Sequence, residues 1–142
     1  MKRVSVAVVV AMMAAGTLSG CGGSAYCGTI KDGQKTLNTF GQTRTNKAYQ
    51  GYADLLRKIA KDSPAGVKKD WTTLASKTEA ILTVQKSIGL KLEEMTDKTK
   101  VGKLKTADLA KINNAYTAFN GTTKERAAVV KNAKQECKIT LK

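Results

Sequence analysis

The residue types that most often carry chemistry are sparse in this chain of 142 residues, which contains no histidine. Histidine is the commonest general base and the commonest metal ligand, so its absence excludes most nucleophilic triads and many metal sites. No Ser-x-x-Lys pair and no glycine-rich nucleotide loop occurs. Glu93 and Glu94 are adjacent, but neighbouring helical positions point about 100° apart, which makes them a poor catalytic pair. The sequence therefore predicts no enzyme, no catalytic residue, no cofactor and no metal.

Cysteine is the reactive residue that remains, and the first of the three cysteines has a distinctive context. Lys2 and Arg3 precede an uncharged, mostly apolar run over residues 4–15, a pattern typical of a secretory signal peptide. As a helix this run would rise about 18 Å, short of the roughly 30 Å hydrocarbon core of a bilayer. Leu18-Ser19-Gly20-Cys21 follows and looks like a bacterial lipobox. In proteins with that motif the cysteine thiol receives a diacylglycerol, and the signal is cut immediately before it.

These features predict the organisation of the chain. We expect residues 1–20 to be a cleaved lipoprotein signal peptide, residues 21–26 to hold the lipidated Cys21 and a flexible tether, and residues 27–142 to form a helical domain. The protein would then be exported and attached by covalent lipid to the extracytoplasmic face of the cell membrane. Two alternatives are an ordinary signal peptide with a chance cysteine and an intact soluble N-terminus.

The other two cysteines, Cys27 and Cys137, form an even pair once Cys21 is assigned to the lipid. An exported compartment permits disulfides, so we expect a structural bridge that joins the two ends of the domain. Two free buried thiols are the alternative. A redox site is less favoured because no Cys-x-x-Cys motif is present.

Apolar residues recur at spacings of three and four along most of the remaining chain, which predicts helices. The fold class is therefore all-α, an antiparallel bundle of four to five amphipathic helices with its ends joined by the disulfide. The expected segments are a first helix from Cys27 to Phe40, a second over 45–61, a third from Pro64 to Gly89, a loop over 96–105, a fourth over 106–120 and a fifth from Thr122 to Cys137.

Several local features are expected to position these helices. We expect hydroxyl caps from Ser63 and Thr106, and a capping box in which Thr122 is paired with Glu125. Gly121 should end the fourth helix in a left-handed conformation. Further expectations are a close helix–helix approach at Gly51, inward-facing Leu109, Trp71 as the core anchor, and Tyr49, Tyr52 and Tyr116 at the edge of the core.

A strong positive charge is the feature that suggests a partner. Without Lys2 and Arg3, the 25 basic side chains fall to 23 against 11 acidic ones, a net charge of +12. The densest cluster lies in the predicted loop, where Lys98, Lys100, Lys103 and Lys105 are candidate anion contacts. Outside the cytoplasmic membrane the polyanions are lipid headgroups and wall polymers, so nucleic acid is not an expected partner.

Two functional hypotheses follow from the location and the charge. The first is a lipid-anchored interaction module that contacts a surface protein or an anionic envelope polymer. The second is a carrier of a small hydrophobic ligand in a cavity between helices. A solvated lysine surface without a partner is the plainest alternative.

The layout also resembles a group of small helical lipoproteins of actinobacteria. The matching parts are the lipobox, the second cysteine close behind it, the proline-started segment Pro64–Leu74 (PAGVKKDWTTL) and the C-terminal Cys137-Lys138-Ile139-Thr140-Leu141. The resemblance implies a helical fold and an envelope location, and it implies no activity or catalytic residue.

Overall fold

The computed structural model describes residues 23–142, and within that range the chain forms helices and no strands. The predicted signal peptide and Cys21 lie outside the described residues. Five long helices and one short one are connected by brief turns, with a 3₁₀ turn at Leu92–Glu94. The helices are α1 (Gly23–Thr39), α2 (Asn46–Asp62), α3 (Ala65–Ile88), α4 (Lys98–Val101), α5 (Thr106–Asn120) and α6 (Thr123–Cys137). The prediction of an all-α bundle is confirmed.

The longest helix, α3, lies at the centre of the bundle and packs against α2, α5 and α6. Its buried stripe repeats every three or four residues, as the 3.6-residue period of a helix requires. The stripe consists of Val67, Trp71, Leu74, Ala75, Thr78, Ile81 and Gln85. Trp71 is 1% exposed, so its predicted role as a core anchor is confirmed.

Two clusters of apolar side chains form the core. One surrounds Trp71 and the first half of α3, and the other surrounds Ile81 in the second half. Phe40 packs against both clusters. Its ring stacks on Tyr52 with the centroids 3.6 Å apart and lies 5.6 Å from the ring of Phe119. The predicted tyrosines lie here as expected, with Tyr49 and Tyr52 buried and Tyr116 half-buried.

A buried hydrogen-bonded chain fixes α1 and α6 on α3. The Trp71 indole donates its N–H to the Tyr26 hydroxyl at 3.0 Å, and that hydroxyl donates to Oδ1 of Asn132 at 2.8 Å. Tyr26 is fully buried, and this burial raises the pKa of its hydroxyl. Indole and phenol groups can be buried at low cost only when their polar ends are paired, and here each one is.

The two ends of the domain are linked covalently. Cys27 and Cys137 form the predicted disulfide, with their Cα atoms 5.2 Å apart and a sequence separation of 110 residues. The last residues then return along α1, since Gln34 donates to the carbonyl of Thr140 at 3.0 Å and the Lys142 amide donates to Asn38 at 2.9 Å.

The left-handed conformation predicted for Gly121 is not observed, and the chain does not reverse between α5 and α6. Gly121 has φ −66° and Thr122 has φ −81°, both on the right-handed side. Accordingly, Phe119 of α5 shares a core cluster with Ile81, and Ala133 of α6 shares one with Trp71. Helices α5 and α6 therefore follow one another along α3 with a bend between them. Together they take the place of one long helix, so the bundle has four helical layers: α1, α2, α3 and the α5–α6 pair.

The predicted hydroxyl caps are wrong at all three sites. Helices α3 and α5 begin without a side-chain cap after Pro64 and Lys105, and α6 begins without one after Thr122. The hydroxyls of Ser63 and Thr122 instead donate back to carbonyls of the preceding turn, at 2.9 and 2.7 Å. Each of these hydroxyls is thus oriented toward the end of one helix and accepts no hydrogen bond from the start of the next.

Three further expectations need correction. Helix α1 begins at Gly23, so much of the segment 21–26, predicted to be a flexible tether, is helical. Gly51 faces open space, because a Cβ atom added there would meet no other atom within 4 Å, so no close helix approach explains this glycine. Leu109 is 41% exposed instead of facing inward.

Removal of the disulfide is expected to destabilise the domain strongly. The bridge closes a loop of about 110 residues, and the chain-entropy model assigns about 4–5 kcal/mol to a loop of that size. The double variant Cys27→Ala/Cys137→Ala should therefore lose that amount in urea unfolding. Reduction should destabilise the wild-type chain similarly and leave the double variant unchanged. Equal unfolding midpoints of wild type and variant would contradict this account.

Candidate functional site

The four lysines predicted to contact anions lie in an ordered segment instead of an open loop. Lys98 and Lys100 belong to the short helix α4, and Lys103 and Lys105 follow it before α5 begins. All four side chains are exposed. Asp97 caps α4, because its Oδ1 accepts from the amides of Thr99 at 2.9 Å and Lys100 at 3.2 Å.

Carboxylates compensate much of the positive charge of this segment. Glu94 accepts a hydrogen bond from Nζ of Lys100 at 2.6 Å, and this bond lowers the pKa of Glu94 and raises that of Lys100. Across residues 92–105, three acidic residues oppose the four lysines. The cluster that looks most basic in the sequence is therefore close to neutral as a unit.

Glu93 and Glu94 each accept a hydrogen bond from a backbone amide, and the two amides belong to different segments. The Asn46 amide at the start of α2 donates to Oε2 of Glu93 at 2.9 Å, and the Leu92 amide donates to Oδ1 of Asn46 at the same distance. Glu94 accepts from the Lys91 amide at 2.9 Å. The hydrogen bond from Asn46 lowers the pKa of Glu93. Glu93 thus holds the 3₁₀ turn on α2, whereas Glu94 closes the turn itself, so both carboxylates have a structural role.

Most of the basic side chains have no acidic partner. Among residues 23–142 there are three ion pairs, Arg57–Glu79, Lys100–Glu94 and Lys111–Asp108. Hence 20 of the 23 basic side chains in this range have no carboxylate within 4 Å. All but two of these side chains are exposed, the exceptions being Lys77 and Arg126, which lies over the Phe119 ring. The exposed charges can attract anions over about one Debye length, roughly 8 Å at physiological salt.

One surface gathers lysines and hydroxyls without a carboxylate among them. It is the outward face of the first half of α3, here called the α3 lysine stripe, and it lines a shallow cleft of about 640 Å³. The stripe consists of Lys68, Lys69, Thr72, Thr73, Ser76 and Lys77, with Ala65 at its end. Asp70 lies on the same helix but does not line the cleft.

The α3 lysine stripe was missed in the sequence although its signal is present. Its residues form three adjacent pairs spaced four apart, which places them on one helical face opposite Val67, Trp71 and Leu74. At its far end, Arg57 donates to Oγ of Ser76 at 3.1 Å and to Oε1 of Glu79 at 2.8 Å. The Arg57 hydrogen bond lowers the pKa of Glu79. The stripe is thus bounded by an ion pair and can bind anionic groups along its length.

The disulfide is half-buried beside a second small cleft. Cys27, Cys137, Lys31 and Lys138 contribute to this cleft of about 570 Å³. Within the described range, no three His, Cys, Asp or Glu side chains are grouped so that they could hold a metal ion. No helix among residues 23–142 has the length and apolar character needed to cross a membrane.

Comparison of the chain with protein-family models, curated proteins and solved structures found no significant match in any of the three.

Glu93 offers a direct test of the link between the 3₁₀ turn and α2. Because its pKa is lowered from the ordinary 4.5, its contribution to stability should be complete above that value and lost as the pH falls through the lowered pKa. We expect the NMR signal of the Asn46 amide to titrate with a midpoint below 4.5. In Glu93→Gln this transition should be absent. A wild-type midpoint at or above 4.5 would contradict the hydrogen bond.

Proposed function

We propose that this protein is an exported lipoprotein, anchored by acylated Cys21, that binds an anionic polymer of the cell envelope through the α3 lysine stripe. The observation that carries the binding proposal is the face of α3 that combines three lysines and three hydroxyl groups with no carboxylate in its cleft. The anchor is supported by the lipobox and the apolar run before it.

The start of α1 supports a close association with the membrane surface. Since α1 begins at Gly23, a single residue separates Cys21 from the first helix. An acyl group on Cys21 would therefore keep the domain near the headgroups. Two acyl chains hold a protein far more firmly than one, because each buried methylene contributes about 0.8 kcal/mol.

The chemistry of the stripe suits a flexible polymer better than a shaped small anion. The lysine ammonium group is a point charge on a flexible side chain and imposes little geometric selectivity on an anion, whereas the planar guanidinium of arginine favours bidentate contacts. Threonine and serine hydroxyls can both donate and accept. Thr72 already donates to the Lys68 carbonyl at 2.8 Å, so Thr73 and Ser76 can donate to phosphate or carboxylate oxygens and Thr72 can accept from a sugar hydroxyl. A repeating anion could contact Lys68, Lys69 and Lys77 in succession along about two turns of α3.

The alternative of a carrier for a hydrophobic ligand is supported by no observation of equal weight. Two large clefts within residues 23–142, of about 820 and 640 Å³, each carry three lysines and are open to solvent. A carrier encloses its hydrophobic ligand away from water, and neither of these clefts is enclosed.

The anchor is tested by the substitution Cys21→Ser in cells that export the protein. Lipidation requires the thiol, so the variant should move from the membrane fraction to the soluble fraction. Mass spectrometry of the wild-type N-terminal peptide should show a diacylglyceryl group on Cys21. A wild-type peptide without lipid, or a variant that stays in the membrane fraction, would contradict the proposed anchor.

The binding surface is tested by sedimentation of residues 22–142 with purified anionic envelope polymer over a salt series. Retention of the wild-type domain should fall steeply as salt rises, because counterions screen the contact. Lys68→Glu/Lys69→Glu/Lys77→Glu should abolish retention at low salt.

The matched control is Lys98→Glu/Lys103→Glu/Lys105→Glu, which changes the net charge by the same amount and leaves the Lys100–Glu94 pair intact. Most of the retention should survive in this control. Equal losses in the two variants would show that net charge alone is responsible and would overturn the assignment to α3. Absence of wild-type retention at every salt concentration would overturn polymer binding itself.

A further inference from the structure

Gln85 is the exception among the buried polar side chains of residues 23–142. It is 1% exposed, and neither its Oε1 nor its Nε2 has a hydrogen-bond partner within the described chain. The other buried polar side chains have partners, as shown by Thr78, which donates to the Leu74 carbonyl at 2.9 Å, and Thr29, which donates to that of Ala25 at 3.0 Å. A buried unpaired carboxamide is costly, so its presence calls for a partner.

Gln85 is one of the residues that line a cleft between the start of α2 and the second half of α3. The volume of this cleft is about 820 Å³, within the range of small-molecule sites. Leu82 and Leu90 supply apolar walls, and Lys47, Lys86 and Lys91 supply positive charge. This region is distinct from the α3 lysine stripe, which lies on the first half of the helix.

The charge of the cleft favours an anion. Glu79 also lines it, but its carboxylate accepts two hydrogen bonds from Arg57 and is therefore neutralised. The three lysines are exposed, and none of them forms an ion pair within residues 23–142.

The backbone around Gln85 is fixed, whereas its carboxamide is held by no hydrogen bond within the described chain. Gly89 takes a left-handed conformation with φ 68°, and the Leu90 amide donates to the Gln85 carbonyl at 3.2 Å. This arrangement closes α3 in the manner of a Schellman motif. Both polar atoms of the carboxamide are buried, so a contact with a ligand requires a rotation of this side chain, while the helix end stays in place.

We propose that this cleft binds a small organic anion that carries an amide group, as an N-acylated amino acid or the C-terminal end of a peptide does. A primary carboxamide offers an acceptor and a donor side by side, so Gln85 can pair with the C=O and N–H of such a ligand. The ligand carboxylate lies among Lys47, Lys86 and Lys91, and its aliphatic part contacts Leu82 and Leu90.

The test is an NMR titration of the full chain, ¹⁵N-labelled and held in detergent micelles, with N-acetylalanine as the probe. We expect the side-chain NH₂ signals of Gln85 to shift and saturate at millimolar probe, together with backbone signals around residues 82–91. Propionate lacks the amide and N-acetylalanine amide lacks the carboxylate, so each should bind at least about tenfold more weakly, a loss of about 1.4 kcal/mol.

Variants separate a binding role of Gln85 from a structural one. Gln85→Leu retains similar volume and removes the unpaired polar atoms, so its melting temperature should equal or exceed that of wild type while probe binding is lost. Lys47→Gln/Lys91→Gln should weaken probe binding about tenfold. This variant tests the proposal independently if Gln85→Leu fails to fold. The matched control Lys124→Gln/Lys131→Gln, on α6, should bind as wild type does.

Two results would overturn the proposal. One is a set of Gln85 side-chain signals that remain unchanged at saturating probe, combined with a lower melting temperature for Gln85→Leu. This result would assign the carboxamide to an internal water or another structural partner. The other is equal binding of N-acetylalanine, propionate and N-acetylalanine amide, which would show that the cleft does not recognise an amide together with a carboxylate.

Discussion

Burial of one face of α3 is the constraint on which the rest of the structure depends. Helices α2, α5 and α6 pack directly on this helix, and α1 is linked to it by the hydrogen bond between Trp71 and Tyr26. Each fully buried large apolar side chain contributes about 1.5–3 kcal/mol, so the stripe from Val67 to Ile81 supplies a large part of the packing energy. Because three partners share one face, the opposite face of α3 is free of packing demands and can carry lysines.

The same helix therefore carries both candidate binding surfaces, at different places along its length. In its first half the outward face forms the α3 lysine stripe, which is open and suited to a polymer. In its second half the helix contributes Gln85, at a buried position, to the wall of a more defined cleft. The long helix thus keeps the proposed electrostatic surface apart from the proposed amide site. The two surfaces can be altered independently, since no residue lines both clefts.

Features that depend on periodicity or on an even cysteine count could be predicted from the sequence, and they include the helices, Trp71 in the core and the Cys27–Cys137 bridge. Features that depend on the direction of one side chain could not be predicted in this way. Ser63 and Thr122 have the right type for caps, yet their hydroxyls bind the preceding turn. In the sequence, the basic segment around Lys100 has few acidic neighbours. Glu94 forms an ion pair with Lys100 only because the chain turns over residues 95–97. Gln85 occupies an apolar position of the helical pattern, and its lack of a partner is visible only in three dimensions.

The joined ends of the domain have a mechanical consequence. A force applied between residue 23 and residue 142 would enter the chain at one end of α1 and leave it after α6. Between those points the shortest covalent path passes through the Cys27–Cys137 bond. The residues between the two cysteines therefore bear none of the tension, because the bond carries the load past them. Stretching could unwind the first turn of α1 and detach the last residues from Gln34 and Asn38, while the helices between the two cysteines and both clefts bear no load. Tension between the two ends would thus reach the residues between the cysteines only after the disulfide had been reduced.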